Sequence, residues 1–66
     1  MNIIAQRGLD DFIIETNGKT VLVDTFDKYY KIYRTPEILY KGGYWDDPNP
    51  SKEQIDLITD IIKELL

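Results

Sequence analysis

Four carboxylates near the C-terminal end of this chain, Glu53, Asp56, Asp60 and Glu64, are spaced by 3, 4 and 4 residues. On a helix that spacing places them on one stripe, within about 80° of one another. Successive carboxylates would rise by roughly 4.5–6 Å along the axis. Like charges so arranged repel by about 0.2–0.5 kcal/mol per pair. Lys52 and Lys63 lie beside the stripe and offset only part of that cost. A row of evenly spaced negative charge can imitate a phosphate backbone and occupy a basic groove. A solvated helix face that serves solubility gives the same pattern.

The stretch "KYYKIYR", Lys28 to Arg34, carries the opposite charge and is rich in tyrosine. Side chains alternate along a strand. Tyr29, Lys31 and Tyr33 then share one face, and Tyr30, Ile32 and Arg34 the other. The Ile32 face suits a position beneath a helix, which sends Tyr29, Lys31 and Tyr33 to solvent. Aromatic, basic, aromatic is a stacking surface for single-stranded nucleic acid, where each base is worth about 1–3 kcal/mol. It also suits protein recognition, and it is an ordinary composition for an open sheet face.

Catalysis has little to work with. The chain contains no His and no Cys, so the commonest general base and the thiol nucleophile are missing. Ser51, the lone serine, is explained by helix capping. Asp10-Asp11 and Asp46-Asp47 are paired carboxylates, but neighbours in a turn point apart, and both pairs suit a turn or a helix entry. No loop has calcium-binding spacing, and zinc has neither of its preferred side chains. We expect no enzyme activity, no metal and no cofactor.

The elements that must position these residues are legible in part. "NIIAQ" (Asn2–Gln6) reads as a strand and "RGLDD" as a turn. "FIIET" and "KTVLVDTF" flank Asn17-Gly18, the strongest short hairpin signal, since a type I′ turn needs φ > 0 at both positions. Asp27-Lys28 reads as the next turn and "YYKIYRT" as a further strand, ended by Pro36. Thr35–Lys41 fits either a helical turn or a short strand. Gly42-Gly43 breaks it and could let the backbone approach a ligand closely. In "YWDDPNP", Trp45 is expected to pack beneath the helix entry, with an exposed anchoring role as the alternative. "SKEQ" (Ser51–Gln54) is a capping box, with Glu53 favourable near the positive end of the helix dipole. From there a helix runs to the terminus, with Ile55, Ile58, Ile61, Ile62, Leu65 and Leu66 within roughly 140°. Leu57 widens the stripe, which raises the expectation of a homodimer through this helix.

The fold expected is α+β. It comprises a small antiparallel sheet of three to five strands over about residues 2–45, and one helix over 51–66 across one face. The 66 residues make a single domain. At this size only about 60% of the unfolded surface is buried. Without cysteines, stability must come from packing or oligomerisation. No membrane span or signal-peptide pattern is visible, so a cytoplasmic location is expected.

The formal charge is −4, and it is segregated. Residues 1–23 carry −1, residues 24–45 carry +1 and residues 46–66 carry −4. The carboxylate stripe therefore agrees in sign with the whole chain, whereas the tyrosine stretch does not. These features point to a small acidic interaction module that inhibits a larger protein by blocking a basic nucleic-acid-binding site. In style it resembles anti-CRISPR and anti-restriction proteins of phages and mobile elements, which are short, acidic and poor in motifs. In element order it is also similar to whirly-like single-strand-binding dimers. That alternative uses the tyrosine face and ranks lower, because non-specific affinity for nucleic acid comes mostly from positive charge. An immunity protein, antitoxin or regulatory subunit needs the same acidic surface. The partner-binding candidates are Glu53, Asp56, Asp60 and Glu64 on the helix, and Tyr29, Lys31 and Tyr33 on the strand.

Overall fold

The computed structural model describes residues 1–35 and 43–66. Among them, four strands form one antiparallel sheet in sequence order: β1 (Asn2–Arg7), β2 (Asp11–Thr16), β3 (Lys19–Asp24) and β4 (Tyr29–Tyr33). One α-helix, α1 (Lys52–Ile61), follows and passes into a 3-10 turn at Lys63–Leu65. The architecture is α+β, as expected. The unresolved choice between helix and strand for Thr35–Lys41 lies outside the described residues, apart from Thr35.

The hairpin forms where the Asn-Gly pair predicts it. Asn17 and Gly18 have φ of 50° and 74°, the positive values that a type I′ turn demands. The pairing of β2 with β3 is regular from Asp11↔Asp24 to Thr16↔Lys19. The pairing of β1 with β2 slips between Ile3 and Ala5. This bulge lets Ile4 and Ala5, although consecutive, both serve the same side of the sheet, while Ile3 serves the other.

Strand β2 is buried on both sides: Phe12, Ile13 and Ile14 are all 0% exposed. Phe12 and Ile14 join Val21, Val23, Ile58 and Ile62 in the core between sheet and helix. Ile13 faces away from the helix, where Ala5, Ile4, Leu22, Tyr33 and Trp45 cover it. This arrangement corrects two expectations. Trp45 packs on the sheet face opposite the helix, and not beneath the helix entry. That face is a second small core, and not an open surface. The continuous apolar run "FII" is what two-sided burial looks like in a sequence.

Ser51 caps α1 as the sequence predicts. The Gln54 N–H donates to Ser51 Oγ at 3.1 Å, and the Ser51 N–H donates to Gln54 Oε1 at 3.0 Å. The same Gln54 amide donates through Nε2 to the Leu9 carbonyl at 2.7 Å. A glutamate could complete the capping box but has no N–H for Leu9. At its other end the helix stops short of the terminus expected from the apolar stripe. Ile61 is the last α-helical residue, and Ile62 departs from helical geometry with φ −103° and ψ 14°. Asn17 Nδ2 donates to the Leu65 carbonyl, tying this end to the hairpin turn. The helix therefore runs from the β1–β2 turn to the β2–β3 turn, over the buried strand between them.

Two substitutions test this account by urea unfolding. Ile58→Ala removes a fully buried side chain and should cost about 2–5 kcal/mol, against roughly 1 kcal/mol or less for the more exposed Ile55→Ala. Gln54→Glu should keep the cap yet lose about 0.5–1.5 kcal/mol with the Leu9 hydrogen bond. An unchanged midpoint in Gln54→Glu would remove that bond from the account.

Candidate functional site

Glu53, Asp56 and Asp60 stand on the outward stripe of α1, and all three are exposed. Glu53 and Asp56 make no ion pair or hydrogen bond among the described residues. Asp60 meets Lys63 at 3.8 Å, with both side chains about three-quarters in water at 73% and 76%. A pair so exposed holds its geometry weakly. No basic residue lies in the last turn of the helix. The row thus has little compensation among the described residues. Its rise of about 4.5–6 Å per carboxylate is sparser than the roughly 3.4 Å per phosphate along one DNA strand.

Glu64, the fourth candidate, belongs to the 3-10 turn and not to the helix proper. Its Oε1 accepts the hydroxyl of Tyr30. Tyr30 lies on the helix side of β4, opposite Val23, and packs at the edge of the core. The hydrogen bond to Glu64 raises the Tyr30 phenol above its usual 10.0, helped by desolvation and by the charge of Glu64. Glu64 is therefore a structural latch between β4 and the chain end.

Tyr29, Lys31 and Tyr33 do share a face, with Asp24, Leu22 and Thr20 as their cross-strand partners. They do not form a flat, open platform. Tyr33 is half-buried against the Ala5 and Ile13 core, and the Lys31 ammonium sits 5.4 Å from its ring centroid. Tyr29 is 50% exposed and borders a groove of about 550 Å³ with Leu57, Asp60 and Ile61. The expectation that all three face solvent holds for Tyr29 and Lys31 and fails for Tyr33.

On the same side, the Arg7 guanidinium lies 4.6 Å above the Trp45 ring and meets Asp11 Oδ2 at 3.2 Å. Gly43 allows this: a Cβ there would come within 2.9 Å of Arg7 Nη1. The close approach at Gly43 is to this side chain, while Gly42 lies outside the described residues. The next segment adds an edge to the sheet, where the Gln6 N–H donates to the Asp46 carbonyl at 2.9 Å and the Asp46 N–H to the Gln6 carbonyl at 2.8 Å. Among the described residues, no group of three or more carboxylate, His or Cys side chains is placed to hold a metal ion. No helix among them is long and apolar enough to cross a membrane.

Leu9 and Phe26, which sequence reasoning did not single out, are 80% and 76% exposed on neighbouring turns. The signal was available: each is a large apolar residue placed where the chain reverses, beside Gly8 and Asp27.

No family model, curated protein or solved structure matches this chain.

The latch has a measurable titration. Tyr30 should ionise above pH 10 in ultraviolet difference spectra, and Glu64→Gln should move it back towards 10. A folded value raised above the unfolded one makes the stabilisation complete below about pH 10. That stabilisation is lost as pH rises through the folded value. Tyr30→Phe should flatten this alkaline loss. An unchanged alkaline profile in Tyr30→Phe would show that the loss belongs to other groups.

Proposed function

We propose that this protein is a small acidic interaction module that inhibits a larger protein by occupying its basic nucleic-acid-binding site. The observation that carries the reading is the exposed, nearly uncompensated row Glu53, Asp56 and Asp60 on one stripe of α1. The row is rigidly placed, because the helix beneath it is held at both ends. A basic groove gains from such a row in two ways: charge complementarity steers the encounter, and like-charged competitors are rejected. The partner is a protein with a basic surface, engaged as a 1:1 or, if two copies pair through α1, a 2:2 complex. In kind this is how an anti-CRISPR or anti-restriction protein of a phage would act. An immunity protein or antitoxin would use the same surface against a toxin. The tyrosine face supports a nucleic-acid-binding reading less well, because Tyr33 is committed to the second core.

Affinity capture with the tagged chain, followed by mass spectrometry, tests the reading. A nucleic-acid enzyme should be recovered equally with and without nuclease treatment, and less at high salt, where the Debye length shrinks to about 3 Å. Glu53→Lys/Asp56→Lys/Asp60→Lys should lose it, while the fold survives because all three side chains stand in water. If the triple variant captures and inhibits the enzyme as well as the wild type, the carboxylate row is not the binding surface. Recovery that requires intact nucleic acid would favour the alternative.

A further inference from the structure

The turn end of the sheet displays a second surface, built from residues the helix row does not use. Leu9 comes from the turn between β1 and β2, and Phe26 from the turn between β3 and β4. Both residues border one open recess of about 350 Å³, together with Arg7, Gly8, Asp10, Asp11 and Asp24. Large apolar groups so exposed are unremarkable when scattered singly, but these two border the same recess.

Neither turn is loose. The Thr25 N–H and hydroxyl both donate to the Asp10 carbonyl, at 2.8 and 2.9 Å, joining the two turns. The Phe26 and Asp27 N–H groups donate to Asp24 Oδ1 at 2.9 and 3.0 Å. The Leu9 carbonyl is held from the other side by Gln54. Leu9 and Phe26 are therefore presented on a fixed backbone, so a partner need not order it on binding.

Charge selects the occupant. Arg7 is already engaged with Asp11 and the Trp45 ring. Among the described residues that line the recess, that leaves the carboxylates of Asp10 and Asp24 without a basic partner. A two-fold pairing of copies would set this negative patch against itself, and an anionic lipid surface would be repelled for the same reason. An arginine fits: its guanidinium can meet carboxylates or the Phe26 ring face, and its methylene stem can lie along Leu9.

We propose that the turn end of the sheet, centred on Leu9 and Phe26, is a docking site for a protein segment that presents an arginine beside apolar side chains. The site stands independently of the carboxylate row on α1.

An amide-resolved NMR titration with a short, end-blocked Arg–Leu repeat peptide tests this, with an Arg–Gly peptide of equal charge as control. The Arg–Leu peptide should shift residues 7–11 and 24–28 and should bind at least tenfold more tightly than the control. Leu9→Ser/Phe26→Ser should raise its dissociation constant at least tenfold and leave the rest of the amide spectrum in place. Glu53→Lys/Asp56→Lys/Asp60→Lys should leave these turn shifts unchanged, which separates the two surfaces. Four results would overturn the proposal: shifts confined to α1, equal binding of both peptides, an unaffected double serine variant, or no shifts at millimolar peptide. Concentration-dependent shifts of the same turns without peptide would assign the surface to self-association instead.

Discussion

Strand β2 must be hidden on both of its faces, and a chain of 66 residues has little material with which to do it. Three consecutive side chains, Phe12, Ile13 and Ile14, are completely inaccessible. Alternation sends Phe12 and Ile14 one way and Ile13 the other. The helix supplies Ile58 and Ile62 on the first side. The second side is closed by Tyr33 and Trp45, with the bulge at Ile4 turning an extra apolar residue towards it. Two aromatic residues that sequence reasoning could offer to a ligand or a partner are thereby drawn into structure. Among the described residues, the outer stripe of the helix and the turns remain outside both cores.

The helix is held where β2 begins and where it ends. Gln54 reaches the Leu9 carbonyl at one turn, and Asn17 reaches the Leu65 carbonyl at the other. A ten-residue helix is short enough to be marginal in isolation, so these ties and the capping box matter as much as its propensity. They also fix the orientation of both candidate surfaces. The carboxylate row cannot rotate about the helix axis without moving Ile58 and Ile62 out of the core. The Leu9 turn cannot swing without breaking the Gln54 and Thr25 bonds.

Local chemistry was legible in the sequence, and long-range covering was not. Asn17-Gly18 dictates its own turn, and Ser51 with Gln54 dictates its own cap, because each acts across only a few residues. The division of the tyrosine stretch into Tyr29/Lys31/Tyr33 and Tyr30/Ile32 also follows from alternation, and the register against β3 bears it out. Alternation says which residues share a face, but not whether something distant lies on that face. Alternation alone therefore places Tyr33 in solvent and says nothing of Trp45, which the fold brings to the face opposite the helix. The early end of α1 was missed for a related reason. An apolar stripe continues equally well through a 3-10 turn, and the bonds from Asn17 and Tyr30 that hold the turn come from far away in sequence. Leu9 and Phe26 carry no local signal of their exposure beyond their place in turns, because the turn chemistry around them resides in Gly8, Asp10, Asp24 and Asp27.

The four helix carboxylates look equivalent in the sequence, but the fold divides them. Glu64 accepts the Tyr30 hydroxyl and holds the chain end against β4, so its charge is partly committed to structure. Asp60 shares a weak, solvent-exposed pair with Lys63. Glu53 gains from the helix N-terminus, where a carboxylate stabilises by about 0.3–1 kcal/mol. Asp56 has no partner among the described residues and no favourable end, and it sits between two like charges at helical spacing. A residue that costs the helix stability and pairs with no described side chain is poorly explained by helix formation alone. The same placement suits a charged partner, because such a carboxylate gives up only its hydration, and no ion pair among the described residues, when it binds. Asp56, at the centre of the row, is therefore the position where stability and binding separate most cleanly.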